Sequence, residues 1–585
     1  MRGFFKALFA SCLGTILAFA LLFILLLGIF SVAGIQKDKA EPKSVLLLDF
    51  KDVIPEKTGN VRDEFSFMSS GDFIGLNDMI KAIQYAAEDP NIEGISIVAP
   101  VFMGGQATLQ AVRRELENFK ESGKFIYSYS DFYTQGTYWL STVSDSLFLN
   151  PNGLIDLKGM GVSLIYFKNL LEKTGIDMEV FYAGKFKSAT EPFRRDHSSP
   201  ENKLQLKEFL YDLEEVMIRD ISIGRGLDEA TVKSLIRGYQ GGVAFGAVNS
   251  RLADDVLHLE EYHNKIRSKI GISSGRKINF VRLPEYRQFV KSKFNPKVKD
   301  KIAVIYAEGE IVMFENKKGS ISDVRYRKVF ERLLKDSQVK GVVLRVNSPG
   351  GNALVSDNLH AMIEELKAKG IPVVASFGDY AASGGYYLSA GADLIVAEEN
   401  TLTGSIGVFV MLPYLGKMMR DKLGITYDSV KTAPLAVSFN PMFSLSNQEI
   451  THMQASTQQV YNRLLEKVSI GRSMTLEEVE EVAQGRIWSG KKAMELGLVD
   501  AIGGLSKAIE LAADKAGIEE YKIVEYPFIK ENPLKMIVES LLSEDDVATI
   551  QSKTGKGLFL QLLELDQVLK QEKPQARLPF IIQWN

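Results

Sequence analysis

The sequence predicts an α/β protein made of tandem copies of one unit behind an apolar N-terminal helix. Short β-rich apolar runs such as GVVLRV and IPVVASF alternate with amphipathic stretches of helical period, the pattern of a parallel sheet with crossover helices. The chain also repeats itself. SDFYTQGTYWLSTVSDSLFLNPNGLI matches GDYAASGGYYLSAGADLIVAEENTLT, and Asp131, Tyr138 and Asn152 fall on Asp379, Tyr386 and Asn400 with one displacement of 248 positions. Finally, 7–35 carries no charged residue, where a membrane helix needs about 20 apolar positions.

That apolar run comes first in the chain. Arg2 and Lys6 precede it, so by the positive-inside rule the short N-terminus 1–6 stays in the cytoplasm and the remainder crosses; Lys37 and Lys39 beyond it weaken the bias. A cleaved signal has an apolar core of roughly 7–15 residues. The length of 7–35 therefore favours a retained anchor, while SVAG at 31–34 keeps cleavage open. Cys12, the only cysteine, lies inside the run, which leaves no disulfide framework and no cysteine-rich metal site. The 585 residues require two or more domains. A composition 45% hydrophobic and 24% charged, with net charge −3, is that of a folded protein and gives no footprint for nucleic acid.

The first copy runs over 45–285. NIEGISIVAPVFMGG supplies a turn, a β-rich run and paired glycines, and TLQAVRRELENFKESGKF supplies the helix that follows. The second copy, 301–520, repeats this with QVKGVVLRVNSPGG and DNLHAMIEELKAKGIP. Later, IGRGLDEATVKSLIRG at 223–238 is mirrored by IGRSMTLEEVEEVAQG at 470–485. The basic stretch between the copies, 286–300, reads as a solvated linker crossing the surface. A tail over 525–585 closes on the β-like run LPFIIQW.

Duplication allows the copies to be compared with each other. Ser383 corresponds to Gln135, and Gly385 to Thr137, so the first copy keeps the glycine-rich frame but carries a bulky amide where the second has a serine. The reverse loss occurs where FYAGKFKSATEPF meets VKTAPLAVSFNPM, since Lys187 falls on Ala436. One copy has the serine without the lysine, the other the lysine without the serine. This complementarity points to one composite site.

A serine hydroxyl needs a base to become a nucleophile. His197, His258, His263, His360 and His452 all lie outside the matched glycine-rich frames, which favours the serine-lysine variant over a Ser-His-Asp triad. An amine with an ordinary pKa near 10.4 must then be lowered by roughly three units through burial. Lys185 is a rival cation: on an extended segment it would share a face with Lys187, and the residues alone leave both open. Ser405 in TLTGSIG, replaced by Leu157 in the first copy, is the candidate hydroxyl for orienting the amine, or else a turn serine. Gly384 and Gly351 are candidate N–H donors for an oxyanion hole. Neither a GxxxxGK[ST] loop nor a Cys/His cluster is present, and no cofactor or metal is expected.

NSPGG, GDYAASGGYYLS and TLTGSIGV, in that order and with FKSATEP in the first half, closely resemble the signal peptide peptidase A (protease IV) family in its long, duplicated bacterial form. The resemblance implies Clp-protease/crotonase-like units of repeated ββα and a serine-lysine endopeptidase. It makes Ser383 the nucleophile, Lys187 the general base and Ser405 the hydroxyl that positions the lysine. It further implies anchorage in the bacterial inner membrane with the catalytic region on the periplasmic side, signal peptides left in the membrane as substrates, and a homotetramer. Glu191, in the same segment as Lys187, receives no chemistry. Other readings are a broader envelope quality-control protease, a crotonase-like enzyme acting on acyl-coenzyme A, and a non-catalytic scaffold.

Overall fold

The computed structural model describes residues 39–60, 73–290, 297–314 and 319–527. The expected anchor over 7–35 and the tail from 528 lie outside the described residues. Among those described, no helix is long and apolar enough to cross a membrane.

Each copy folds around its own sheet. In the first, the strand order is Asp255–Val256, Ser146–Asp156, Phe125–Thr134, Ile92–Ile97, Ser44–Leu48, Asn279–Arg282, with every pair parallel. In the second, Val373–Ala382, Val339–Ser348, Lys301–Glu308 and Lys522–Tyr526 follow the same order, and the counterpart of Ser146–Asp156 is split into Leu394–Ala397 and Leu402–Gly404. Central strands such as Val339–Ser348 are buried almost throughout, which is why their sequences read as continuous apolar runs. Crossover helices such as Gln106–Lys120 and Ala353–Ala368 pack on the sheets and complete the cores.

The duplication extends to single hydrogen bonds. Tyr138 donates its hydroxyl to the Leu252 carbonyl and Tyr386 to that of Leu498. Arg225 forks onto Asp254, and Arg472 onto Asp500. These buried tyrosines and paired charges hold the equivalent helix to the equivalent strand end in each copy.

The copies meet through polar joints and one strand pair. The Asp379 carboxylate accepts from the Thr108 N–H at 2.9 Å and its hydroxyl at 2.7 Å. Arg114 forks onto Glu398, and Arg345 is buried against Glu56 at 2.8 Å. Asp177–Ala183 of the first copy pairs antiparallel with Val408–Tyr414 of the second, Ala183 opposite Val408.

Two expected boundaries change. The stretch read as a surface linker begins inside the first core: Tyr286 and Phe289 are buried, and the Tyr286 hydroxyl donates to Asp89. Its aromatic residues outweigh the basic residues among which they sit. The second copy also extends past 520, because Lys522–Tyr526 pairs in register with Lys301–Glu308 at the sheet edge and buries Tyr526.

Candidate active site

Ser383 sits where strand Val373–Ala382 turns abruptly into helix Gly384–Ser389. Its backbone is at φ 55, ψ −115, a region that costs a non-glycine residue about 1–3 kcal/mol and is retained only where the surroundings impose it. Those surroundings are specific. The Ser383 N–H donates to the Gly404 carbonyl at 2.9 Å, and its own carbonyl accepts from Tyr387 at 2.9 Å.

The NSPGG turn lies against this serine. A Cβ on Gly350 would come within 3.0 Å of Ser383 Cβ and 2.9 Å of Gly384 N, so no larger residue fits. Gly351 has φ 153, and a Cβ there would approach the Ile311 carbonyl oxygen to 2.0 Å. The bridge to Ile311 uses the Gly350 carbonyl and the Asn352 N–H, leaving the Gly351 N–H outside the ladder. Gly384 is the first residue of its helix, where an N–H has no partner within the helix. Gly351 N lies 3.1 Å from where a Gly384 Cβ would stand, so these N–H groups are neighbours.

Lys187 arrives from the other copy. Pairing of Asp177–Ala183 with Val408–Tyr414 carries the chain into the loop beyond Ala183 just as the partner strand leaves Ser405, and the two segments converge. Lys187 Nζ lies 3.0 Å from Ser383 Oγ, 2.9 Å from Ser405 Oγ and 2.9 Å from the Ser405 carbonyl. Its side chain is buried, and that desolvation lowers its pKa from 10.5 to about 7. The proton is disfavoured by loss of water alone.

Lys185 takes a different direction. The shared-face expectation fails because the strand ends at Ala183: Gly184 turns at φ 103 and the Lys187 N–H closes on the Gly184 carbonyl at 3.1 Å. Period-2 alternation is lost, and Lys185 is exposed, with its ammonium over the Phe186 ring. Histidine is also absent from the site among the described residues. His360, the buried one, packs on Tyr387, and burial lowers its pKa to about 4.

Several supporting residues were not visible in the sequence. The loop 484–486 passes between the two converging segments: Gln484 accepts from Phe186 N–H at 2.9 Å, and Arg486 from Ser405 N–H at 2.6 Å, both through their carbonyls. Gly485, at φ 75, lies so close that a Cβ would meet Lys187 Cβ at 2.6 Å. Gln205 donates to the Phe186 carbonyl and Ser188 hydroxyl on either side of Lys187, and accepts from the Ile487 N–H. Glu191 is buried and accepts from Ser199 and Asn202, which fixes the turn after the lysine.

Comparison with known proteins agrees with the duplication. The model of peptidase family S49 matches twice, at 118–273 and 365–519. Protease 4 of Haemophilus influenzae is 31% identical over 85% of this chain and 83% of its own length. The chloroplastic serine protease SPPA of Arabidopsis thaliana is 31% identical over 90% of this chain and 77% of its own. Among solved structures, ClpP1 from Listeria monocytogenes overlaps 35% of this chain and 94% of its own at 15% identity and a TM-score of 0.22. With the family matched in both repeats and relatives aligned along most of its length, this chain belongs to peptidase family S49 and is a serine protease.

Proposed function

We propose that the protein is a serine-lysine endopeptidase in which Ser383 attacks the peptide carbonyl and Lys187 takes its proton. The observation that carries this reading is the buried Lys187 amine 3.0 Å from Ser383 Oγ, with no carboxylate among its hydrogen-bond partners in the described residues. A neutral amine has two N–H groups and one lone pair. The Ser405 carbonyl accepts one N–H and the Ser405 hydroxyl the other, which aims the lone pair at the Ser383 proton. Ser405 is in this way a positioning residue.

As the Oγ–C bond forms, the carbonyl oxygen gains charge and the Gly351 and Gly384 N–H groups receive it. The lysine then delivers its proton to the leaving amine, and an acyl-enzyme on Ser383 remains. The same amine next activates water, and hydrolysis of the ester restores the hydroxyl. No step requires a metal or cofactor.

The substrates in this reading are extended apolar peptides, above all signal peptides left in the membrane after preprotein cleavage. The charge-free stretch 7–35 would anchor the enzyme in the inner membrane with its catalytic region on the periplasmic side, and the protein would work as a homo-oligomer, tetrameric by family resemblance. Cleavage of a signal-peptide substrate by wild type, Ser383→Ala, Lys187→Ala and Lys185→Ala tests the chemistry. Loss in the first two variants and full activity in the third is expected. Unimpaired cleavage by Lys187→Ala would remove the base.

A further inference from the structure

Lys187 and Ser405 are joined by a second composite feature beside the dyad. Loop 484–486 ties their two segments by main-chain bonds, from the Phe186 N–H to the Gln484 carbonyl and from the Ser405 N–H to the Arg486 carbonyl. The Arg486 side chain closes across the same gap. Its guanidinium carbon lies 4.7 Å from the centre of the Phe186 ring and 4.3 Å from that of Trp488, and a terminal nitrogen pairs with Glu208 on helix Pro200–Arg225. Both distances are within the reach of cation–π attraction. Arg486 Nε is buried and has no hydrogen-bond acceptor among the described residues, so the group is held by two rings and one ion pair.

Each ring leads to one half of the base. Phe186 directly precedes Lys187 and stands beyond the strand pair that ends at Ala183, where the ladder no longer holds the chain. Trp488 lies opposite Thr403 in the antiparallel pairing of Ile487–Ser489 with Leu402–Gly404, and its indole donates to the Val482 carbonyl at 2.8 Å. A Cβ on Gly404, at φ 74, would come within 2.7 Å of Trp488 Cδ1 and 2.8 Å of the Arg486 carbonyl oxygen. The next residue is Ser405, at φ 50, a left-handed conformation that disfavours serine. Its N–H bond to Arg486 holds it there.

The duplication shows that these four residues are not part of the common frame. Phe186 falls on Leu435, and Glu208 falls on Ala455 of the matching helix Asn447–Arg472. In the register that sets Leu252 against Leu498, the second copy has GRIW at 485–488 where the first has YQGG at 239–242, with neither arginine nor tryptophan. Phe186 and Glu208 belong to the first copy, Arg486 and Trp488 to the second, so the cluster divides between copies as the dyad does. A device serving the fold of each unit would recur at both places. This one stands where the amine lies.

We propose that the Arg486 side chain is a positioning group for the dyad, locking the loop that carries Lys187 onto the turn that carries Ser405. This rests on the serine-lysine reading above and adds the device that sets its geometry. A guanidinium suits the place because its plane stacks on rings while its edge pairs with a carboxylate, which a lysine ammonium does not reproduce. The Lys187 amine needs both Ser405 oxygens, each at 2.9 Å, to aim its lone pair, and the sandwich fixes that separation. Burial is also what lowers this amine to about 7, so a loop that drifts outward regains water and proton together. Loss of the sandwich acts twice, on the aim of the amine and on its neutral fraction.

Fluorophosphonate labelling and steady-state peptide cleavage by the full chain in detergent, for wild type, Arg486→Ala, Arg486→Lys and Lys187→Met, test this. In Arg486→Ala, kcat should fall about 10- to 100-fold with KM within about twofold, and the acid limb of the labelling profile should move up by about one pH unit. Arg486→Lys keeps the charge without the plane and should stay impaired. Guanidinium ion at millimolar concentration should restore part of the Arg486→Ala rate and leave Arg486→Lys, whose side chain fills the slot, unchanged. The Glu208 side chain is 47% exposed, so removing its partner strands no buried charge and the variants fold. Wild-type kcat and acid limb in Arg486→Ala, with no labelling of Lys187→Met, would overturn the clamp and leave the dyad. Full activity in Arg486→Lys would show that charge suffices and overturn it too. A lower kcat with an unmoved acid limb and no rescue by guanidinium would make Arg486 a packing residue only. Labelling that persists in Lys187→Met would remove the dyad, and this inference with it.

Discussion

If neutral Lys187 is the base, as proposed, lowering the pH from 8 to 6 should slow acylation of Ser383 about tenfold. Burial lowers that amine from 10.5 to about 7, with desolvation as the cause. At ~1.36 kcal/mol per pH unit this amounts to roughly 5 kcal/mol against the protonated form. About nine-tenths of the amine is then neutral at pH 8 and about a tenth at pH 6, whereas an ordinary lysine would be neutral in well under 1% of molecules at pH 8. The assay is the second-order rate of labelling by a fluorophosphonate across pH 5 to 10. A rise of about tenfold per unit below 7 and a plateau above 8 is expected. The same shift has a stability signature: between about pH 7 and 10.5 the unfolded chain binds more protons at this lysine than the folded one, so stability rises with pH through that window. Lys187→Met should abolish the labelling and remove this lysine's share of the rise in stability with pH. A labelling rate still climbing tenfold per unit at pH 9 would show an undepressed amine and refute the reasoning.

Three further outcomes follow from the supporting contacts. Ser405→Ala removes one acceptor for the lysine N–H while leaving the carbonyl, so kcat should fall about 10- to 100-fold with KM nearly unchanged in steady-state cleavage. Gly485→Ala places a Cβ 2.6 Å from Lys187 Cβ at a positive φ; displacing the amine toward solvent should lower kcat and move the acid limb of the pH–rate profile upward. Glu56→Ala strands the buried Arg345 guanidinium, and urea unfolding should report a loss of about 3–5 kcal/mol.

Much of the fold is written locally. The alternation of apolar strands with amphipathic helices depends on neighbouring residues, and the repeat made each copy a check on the other, so the α/β class and the duplication were legible along the chain. So was the split of Ser383 and Lys187 between copies, because each loss stood against a retained frame. The choice between Lys185 and Lys187 was not legible from the residues alone. It depends on the turn at Gly184 and on a strand pair between segments more than 200 positions apart, neither of which leaves a local period.

The sequence by itself determined the two-copy α/β plan and the residue types available for chemistry, because periodicity and self-similarity are properties of the chain. Tertiary structure alone decided which amine is dry, which glycines stand where a Cβ would collide, and which apolar residues of the linker join a core. Those properties depend on what surrounds each atom. Lys187 lies 196 positions from Ser383, and only the packing of one copy on the other brings its amine to 3.0 Å from the hydroxyl and strips it of water.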